Sequence, residues 1–519
     1  MEYFRTFAAL VIFTFFSMKG NHKYIISTLL AGLSLQTAFS QNALQRSFDG
    51  VEYSVEAQTT FSKNNSPLWL NANRYGLSSV DRNNGYLRVG IQRDASLDQS
   101  HKWRFGYGAD FAAAYQFTSP IVIQQLYLDI DYLKMRLSIG SKERPMAFKN
   151  QELSSGSQTF GINARPIPEV RFEVPEYLSI TGKSNWAAIK GHFGYGMMTD
   201  GRWQKDYVND GVHYAKGALY HSKAGYLRIG NEEKFPLVFE GGLEMACQFG
   251  GTIYNPIGAN GASSIKMGHS IKDFFKVAFG MGSDATDGIY ANASGNTLGS
   301  WLLSLSYKGK DWKVRAYYDH FFEDHSMMFF EYGWLDGLIG AEITLPQNPI
   351  LQNIVYEYIN TTYQSGPVYH DHTDLIPDQI SGIDNYYNHN LYQGWQHWGQ
   401  AIGNPLFHSP LYRNDGSLVF SGNRFKAHHI GLSAQPFHNL DWRILYSYME
   451  NWGRYEIPYM DKRYCHSFLA EINYRLPEFK NEISKGWSIS AAFALDRGKE
   501  LNNNTGAQIT IRKSGLLLK

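Results

Sequence analysis

Apolar and polar residues alternate with a period of two along most of this chain. In the segment 487–495, Trp487, Ile489 and Phe493 fall on one face, whereas Ser488 and Ser490 fall on the other. Such alternation predicts a β-strand with one apolar and one polar face. The same pattern recurs in the segments 133–139, 301–308, 312–319 and 467–475.

The number of these segments predicts the architecture. Between Val51 and Leu518 they give roughly 16 to 20 candidate strands, most of them spaced for hairpins. Asn84-Gly85, Asp210-Gly211 and Asp415-Gly416 supply the residue pairs that favour tight turns. We therefore expect an all-β protein whose sheet closes into a transmembrane antiparallel β-barrel, with lipid outside and water inside.

Composition agrees with a barrel and argues against other classes. Aromatic residues make up 15% of the 519 residues, and 49 are glycine. After residue 40 we find no stretch of about 18 apolar residues that would predict a membrane-spanning helix. The net charge of +1 gives no reason to expect a nucleic-acid partner.

The amino terminus has the features of a signal peptide. Lys19 and Lys23 precede an apolar run over 24–35, and Ala38-Phe39-Ser40 has the small-x-small form of a cleavage site. We expect residues 1–40 to be removed, with translation starting at Met18. Residues 41–519 then form one barrel in the Gram-negative cell outer membrane.

The two cysteines differ in parity. Cys247 shares the apolar face of its segment with Met245 and Phe249, whereas Cys465 shares the polar face with Ser467. Thiols on opposite sides of a barrel wall cannot meet, so we predict no disulfide.

Two long segments interrupt the alternation. The first, near 143–177, is an insertion rich in proline, which is incompatible with a regular central strand. The second, near 361–422, is a loop too long to be a simple connection, and long loops on rigid scaffolds often carry function.

Several segments resemble the capsule-assembly Wzi family of outer-membrane proteins, especially its longer Bacteroidetes members. They are Gly140-Ser-Lys-Glu-Arg-Pro-Met, Glu152-Leu-Ser-Ser-Gly, Gly161-Ile-Asn-Ala-Arg-Pro-Ile-Pro, Asn231-Glu-Glu-Lys-Phe-Pro-Leu, Glu240-Gly-Gly-Leu-Glu and Gly403-Asn-Pro-Leu-Phe. The resemblance extends from about Tyr53 to Arg512. It implies a barrel of about 18 strands, loops that partly occlude the lumen, a periplasmic helical element, and binding of capsular or surface polysaccharide without catalysis.

The resemblance also implies outer-membrane lipid and the barrel-insertion machinery as partners. Outer-membrane barrels commonly finish on an aromatic residue that this machinery reads, whereas the present sequence finishes Gly515-Leu-Leu-Leu-Lys519.

The long loop is the best candidate for contact with a glycan. Aromatic rings stack on the C–H faces of sugars, and amide, imidazole and guanidinium groups bind hydroxyl or carboxylate groups. The candidates are Tyr386, Tyr387, His389, Tyr392, Trp395, Trp398, Asn404 and Arg413. The alternative is that these side chains pack the loop against itself or lie at the lipid headgroups.

Charged residues of the first segment form a second candidate set. They are Glu143, Arg144, Glu152, Arg165, Glu169 and Arg171. They would line a polar track in the lumen, or they would neutralise one another and hold a plug in place. Sequence spacing does not define a metal site around His370 and His372 or at His428 and His429, and no cofactor is expected.

We therefore predict a non-enzymatic barrel that binds capsular or surface polysaccharide in capsule assembly or attachment. A porin-like channel for sugars or other small solutes is the alternative. A hydrolase ranks third, because the sequence places no acidic residue at a recognisable catalytic spacing from the neighbouring Ser409 and His408.

Overall fold

A computed structural model describes residues 49–97, 102–256, 262–279, 295–323, 328, 335–364, 384–477 and 485–517. The predicted signal peptide and the proposed start at Met18 lie outside these residues, as do His370 and His372. Glu52–Gly515 forms one compact unit, and the described residues of the other unit are 49–51 and 516–517. The barrel is built from the first unit.

Eighteen antiparallel strands form one sheet, and the pairing of the first strand with the last closes it. Five further short strands lie in the loops, as one three-stranded sheet and one two-stranded hairpin. The barrel strands are β1 Glu52–Lys63, β2 Asn83–Arg93, β3 Trp103–Tyr115, β4 Ile121–Tyr132, β5 Met135–Ser141, β6 Glu169–Ser179, β7 Ala187–Met197, β9 Leu219–Ile229, β10 Leu237–Phe249, β13 Asn296–Lys308, β14 Lys313–Glu323, β15 Gly337–Thr344, β16 Asn353–Asn360, β19 Phe425–Phe437, β20 Leu440–Gly453, β21 Pro458–Arg475, β22 Trp487–Gly498 and β23 Asn504–Leu516. The loop strands are β8 Tyr214–Lys216, β11 Thr252–Tyr254, β12 Ser264–Lys266, β17 Gln396–His397 and β18 Gln400–Ala401.

Helices are few and short among the described residues. They are α1 Leu68–Asn71, α2 Gly201–Tyr207 and α3 Ile271–Phe279, with 3-10 turns at Ala95–Leu97, Gly182–Ser184 and Pro410–Tyr412. None of the helices in the described part of the chain is long and apolar enough to cross a membrane.

The alternation predicted from sequence places apolar side chains outside and polar ones inside. In β22, Ile489 and Phe493 are 42% and 46% exposed, whereas Asp496 is fully buried. Because water would penalise such an apolar outer surface, the belt is expected to face hydrocarbon. Closure of the sheet satisfies the backbone hydrogen bonds, as a strand within lipid requires.

The two ends of the barrel differ in loop length. At one end β4–β5 and β19–β20 are joined by two-residue turns, whereas at the other end the connections 142–168, 198–218, 250–295 and 361–424 are long. Outer-membrane barrels have short periplasmic turns and longer extracellular loops. All three α-helices lie on the long-loop side, so the periplasmic helical element implied by the resemblance does not appear among the described residues.

One boundary differs from the sequence interpretation. The proline-rich insertion ends at residue 168, and the following residues, including Pro175, belong to β6. The register of β6 against β7 shifts between Val174 and Leu178. Proline lacks an N–H group, and the interruption of the ladder accommodates it within a strand.

Both cysteines are buried thiols that form no disulfide, and they lie on opposite sides of the wall. Cys247 lies on the outward face with Phe249, and Cys465 lies on the inward face with Ser467. The parity argument against a disulfide agrees with this placement.

Candidate functional site

Three loops fold inward on the long-loop side and fill the lumen. We call their described residues, 64–82, 142–168 and 384–422, the plug. Their largest side chains form a buried apolar core that is continuous with the inner wall. Its fully buried aromatic residues include Trp69, Tyr386, Tyr387, Tyr392, Trp395, Phe407 and Phe420.

Polar side chains of the wall hold the plug on several sides. The carboxylate of Asp496 in β22 accepts a hydrogen bond from the Leu68 backbone N–H at 3.1 Å. Glu357 in β16 is fully buried and accepts from the Ser155 backbone N–H at 2.7 Å. Since these contacts lie on different strands, the plug is tied across the lumen rather than to one side.

An ion pair in the interior strengthens this attachment. The Lys149 ammonium, on the loop after β5, lies 3.2 Å from a carboxylate oxygen of Asp319 in β14, and both side chains are 1% exposed. The same oxygen accepts from the Gln158 backbone N–H at 3.1 Å. Because a buried charge without a partner is costly, the pair fixes the position of the loop.

Three of the segments that resemble the Wzi family, those beginning at Glu152, Gly161 and Gly403, meet inside the plug. The Gly161 N–H donates to the Ile402 carbonyl at 3.1 Å, and the Asn404 amide donates to the Gly156 carbonyl at 2.9 Å. A Cβ atom on Gly403 would collide with the Gln158 carbonyl and the Tyr387 hydroxyl. These motifs therefore form the contact between two loops.

Five of the eight predicted glycan contacts are buried in the plug. Trp395 donates to the Thr159 carbonyl at 3.0 Å, Tyr387 stacks on Phe407 at 3.8 Å, and Tyr392 donates to the Gly250 carbonyl at 3.0 Å. Tyr386 and Asn404 are equally buried. Their rings and polar atoms are occupied by protein, so we assign these five side chains to packing and not to a sugar.

The other three keep accessible surface. The His389 ring accepts from the Leu391 N–H at 3.1 Å, which gives it a role in its own turn. Arg413 pairs with Asp415 at 3.3 Å and is one-third exposed. Trp398 is half-buried and lies at the outer mouth of the barrel.

Trp398 belongs to a row of three aromatic rings at this mouth, which we call the aromatic row. Its ring centroid lies 5.9 Å from that of Trp203 on α2, and Trp203 stacks on Tyr207 at 5.2 Å with an interplanar angle of 26°. All three are half-buried. The row thus offers ring surface to the extracellular side.

The backbone holds Trp398 in an uncommon conformation. Trp398 and Gly399 form the two-residue turn between β17 and β18, with φ angles of 56° and 79°. Such turns favour Asn-Gly, and a bulky residue at positive φ is an outlier. Asp200 accepts from the Trp398 N–H at 3.0 Å, and Thr199 accepts from the indole N–H at 3.1 Å. Conformational strain of this kind is often associated with function.

A buried cation lies beneath the row. The Arg165 guanidinium lies 4.5 Å from the Trp398 ring centroid and donates to the Thr118 hydroxyl at 2.8 Å. Burial lowers the pKa of Arg165 to about 10, and the nearby Asp200 opposes this shift. Arg165 remains charged at neutral pH, and it packs the row from below.

Sequence reasoning missed Trp203 and Tyr207. They are four residues apart on α2, so they lie on one face of the helix. Their spacing in the sequence predicts that the two rings share a helix face. Nothing in the sequence indicated that α2 packs beside the tip of the β17–β18 hairpin.

Four of the six charged candidates, Glu143, Arg144, Glu169 and Arg171, form ion pairs. Glu143 lies 3.0 Å from Arg88, Arg144 lies 3.2 Å from Glu173, and Arg171 lies 2.9 Å from Glu173. Burial raises the pKa of Glu143, and burial lowers the pKa of Arg144. Glu169 lies 3.4 Å from Arg144, whereas the Glu152 side chain is exposed. Glu143 and Arg144 thus join the loop to the wall, as the plug-holding interpretation expects, whereas Arg171 pairs with Glu169 and Glu173 of its own strand.

A polar cavity of about 320 Å³ lies against β1–β3 on the inner wall. Arg88 crosses it to Asp110 at 2.5 Å, and Glu52 and Arg512 also line it. Its charges are mixed in sign.

The histidines and the serine considered for metal binding or catalysis make contacts with the protein. In the described ranges, no group of three or more His, Cys, Asp and Glu residues is arranged to hold a metal ion. His429 faces inward, between Ser447 and the Leu153 carbonyl, whereas His428 contacts Tyr356 on the outer face. Ser409 donates to the Gly399 carbonyl and caps the 3-10 turn at Pro410–Tyr412.

Comparison with known proteins identifies the fold. No family model and no curated protein matches the chain. The structure is similar to that of Wzi from Escherichia coli, an outer-membrane protein involved in group 1 capsule assembly and a carbohydrate-binding β-barrel, with a TM-score of 0.53, 13% identity and coverage of 91% of this chain and 86% of Wzi.

Two further solved structures have lower TM-scores. OprD from Pseudomonas aeruginosa gives a TM-score of 0.46 at 9% identity, covering 91% of this chain and 96% of OprD. OccK5 from the same organism gives 0.45 at 9% identity, covering 90% and 98%. The 18-stranded closure, the exposed apolar belt and the Wzi-like fold place this chain in the Gram-negative outer membrane.

Proposed function

We propose that this chain is a non-enzymatic barrel that binds a capsular or other surface polysaccharide at its extracellular mouth and helps retain it there. The observation that carries the proposal is the aromatic row, Trp398, Trp203 and Tyr207, because it combines ring surface with exposure at the outer end. The carbohydrate binding named for Wzi supports the same interpretation.

The proposed contact is multivalent. Aromatic rings stack on sugar C–H faces, and the exposed side chains of Arg202 and Arg413 lie on the same loops. A polymer offers many copies of each sugar, so several weak contacts act at high effective concentration. Retention of a polymer therefore does not require a deep pocket.

The plug favours binding over solute transport. A channel for sugars needs a continuous aqueous path, whereas the described plug residues form a buried core tied to the walls by Asp496, Glu357 and Asp319. We expect little steady conductance from the purified protein in planar bilayers. Open-channel conductance comparable to that of a sugar porin would favour the alternative.

The direct test compares two double variants. Polysaccharide purified from the surface of the same bacterium is titrated onto reconstituted wild-type protein, onto Trp203→Ala/Trp398→Ala and onto Trp312→Ala/Trp186→Ala. The control tryptophans are 42% and 43% exposed but lie at the short-turn end. We expect the first pair to lower affinity at least tenfold and the control pair to leave it unchanged. Equal affinities for all three proteins would refute a role for the aromatic row.

A further inference from the structure

Helix α3 lies on the outer face of the barrel, not in the lumen. Its Phe274 contacts Tyr195 of β7 at 4.9 Å and Phe249 of β10 at 5.1 Å between ring centroids. Tyr195 shares its face of β7 with the exposed Phe193, and Phe249 shares its face of β10 with the exposed Phe239. The helix therefore covers the ends of these strands on their lipid-facing side.

The seat of α3 on the wall is specific. Lys223 points outward from β9, and its ammonium donates to the Ala278 carbonyl at 2.5 Å, near the carboxyl end of the helix. A cation at this end of a helix is favourable. At the other end the Asp273 carboxylate, in the first turn, accepts hydrogen bonds from the Ser270 backbone N–H and from the Ser270 hydroxyl, each at 2.7 Å. The helix thus shields a lysine that would otherwise face hydrocarbon.

The face of α3 turned away from the wall is apolar and exposed. Ile271, Phe275 and Phe279 follow one another at intervals of four residues and are 77%, 61% and 73% exposed. Lys272 and Lys276 form the next stripe around the helix. An apolar stripe bordered by lysines is the arrangement of helices that lie in a membrane interface.

We propose that α3 is an interfacial helix that buries Ile271, Phe275 and Phe279 in the outer leaflet and binds the phosphate groups of its lipids through Lys272 and Lys276. Its apolar stripe continues the lipid belt of the barrel, because Phe193 and Tyr195 connect the belt to Phe274. The long-loop end places it at the outer leaflet. Lysine side chains extend toward headgroups while their stems stay in apolar surroundings.

Depth in the bilayer is tested with one reporter at three positions. Phe275→Cys, Phe239→Cys and Asp210→Cys are labelled with an environment-sensitive dye and reconstituted in phosphatidylcholine vesicles that carry nitroxide-labelled acyl chains. Phe239 lies in the lipid belt, and Asp210 is an exposed residue of the mouth. We expect quenching at position 275 to match that at 239. Quenching as weak as at 210, or disulfide-linked dimers through position 275, would overturn the proposal.

Phosphate binding is tested by native mass spectrometry with lipid A and with dephosphorylated lipid A. Each lysine near an anionic membrane surface contributes about fivefold in affinity, so Lys272→Gln/Lys276→Gln is expected to bind lipid A about 25-fold more weakly than wild type. Lys205→Gln/Lys216→Gln, on the loop 198–218, serves as the matched control. Equal affinities for lipid A and its dephosphorylated form in wild-type protein would overturn the proposal.

These outcomes are independent of polysaccharide binding. The aromatic row and α3 lie on different loops, and heat-modifiable migration on gels reports whether each variant has folded. Loss of lipid A binding with normal polysaccharide affinity would separate the two surfaces.

Discussion

Trp395 and Trp398 are three residues apart on one hairpin, yet they lie in opposite environments. Trp395 is fully buried in the plug and hydrogen-bonded to the Thr159 carbonyl, whereas Trp398 is half-buried and keeps accessible surface in the aromatic row. The same residue type therefore serves packing at one position and offers a surface at the other. What separates them is which element covers each ring.

The largest expected effect concerns the interior ion pair. Lys149→Ala leaves the Asp319 carboxylate buried without its cation, which costs about 3–5 kcal/mol. We expect a lower free energy of unfolding in urea and a rise in planar-bilayer conductance, because the loop after β5 loses its attachment. Lys205 is an exposed lysine of the loop 198–218, and the control variant Lys205→Ala should change neither the free energy of unfolding nor the conductance. Unchanged conductance in a destabilised Lys149→Ala protein would show that the plug holds without this pair.

Truncation of Trp395 tests the packing side of the comparison. Trp395→Ala removes a fully buried indole and leaves a cavity, with an expected loss of about 3–5 kcal/mol. Thermal unfolding in detergent measures the loss. Polysaccharide affinity measured below the unfolding temperature should fall less than for Trp398→Ala, and the reverse order would contradict our assignment of Trp395.

The buried histidines of the plug predict a pH dependence. Burial lowers the pKa of His408 to about 3 from its ordinary 6.5. The unfolded chain then takes up a proton below about pH 6.5 while the folded protein does not, so stability falls as pH drops through this window. His408→Gln removes this titrating group. As the pH falls from 6 to 4, we expect the free energy of unfolding of this variant to rise relative to that of wild type by up to about 2 kcal/mol. Parallel stability curves for the two proteins would exclude the effect.

The smallest free-energy change is expected at the exposed end. Trp398→Asn creates the Asn-Gly sequence that the turn geometry favours. The relief of backbone strain offsets the stability lost with the indole contacts. We expect the free energy of unfolding to stay within about 1 kcal/mol of wild type, while polysaccharide affinity falls about threefold to tenfold. Calorimetry and binding titration of one protein preparation measure both. A strongly destabilised Trp398→Asn protein would make the tryptophan a packing residue like Trp395.

The sequence alone determined the wall of the barrel. A period of two assigns each strand residue to the inner or outer face, and this local rule correctly separated Cys247 from Cys465 and the lipid-facing Phe493 from the lumenal Asp496. It worked because a strand's side-chain direction depends on its own backbone geometry. Pro175 predicts an irregular segment, but a register shift that the sequence does not reveal accommodates it within β6.

Only the tertiary structure decided the roles of the loop residues. Tyr387, Trp395 and Trp398 were all predicted to contact a glycan because they are aromatic residues of the long loop. Whether each ring is buried depends on how loops distant in sequence pack together. Trp398 is at the mouth because Asp200 and Trp203, nearly two hundred residues earlier, meet its hairpin there. Helix α3 is similar: its apolar stripe is visible in sequence, but its position on the outer wall depends on contacts with β7, β9 and β10. Side-chain periodicity is a local property, whereas exposure in a loop depends on long-range packing.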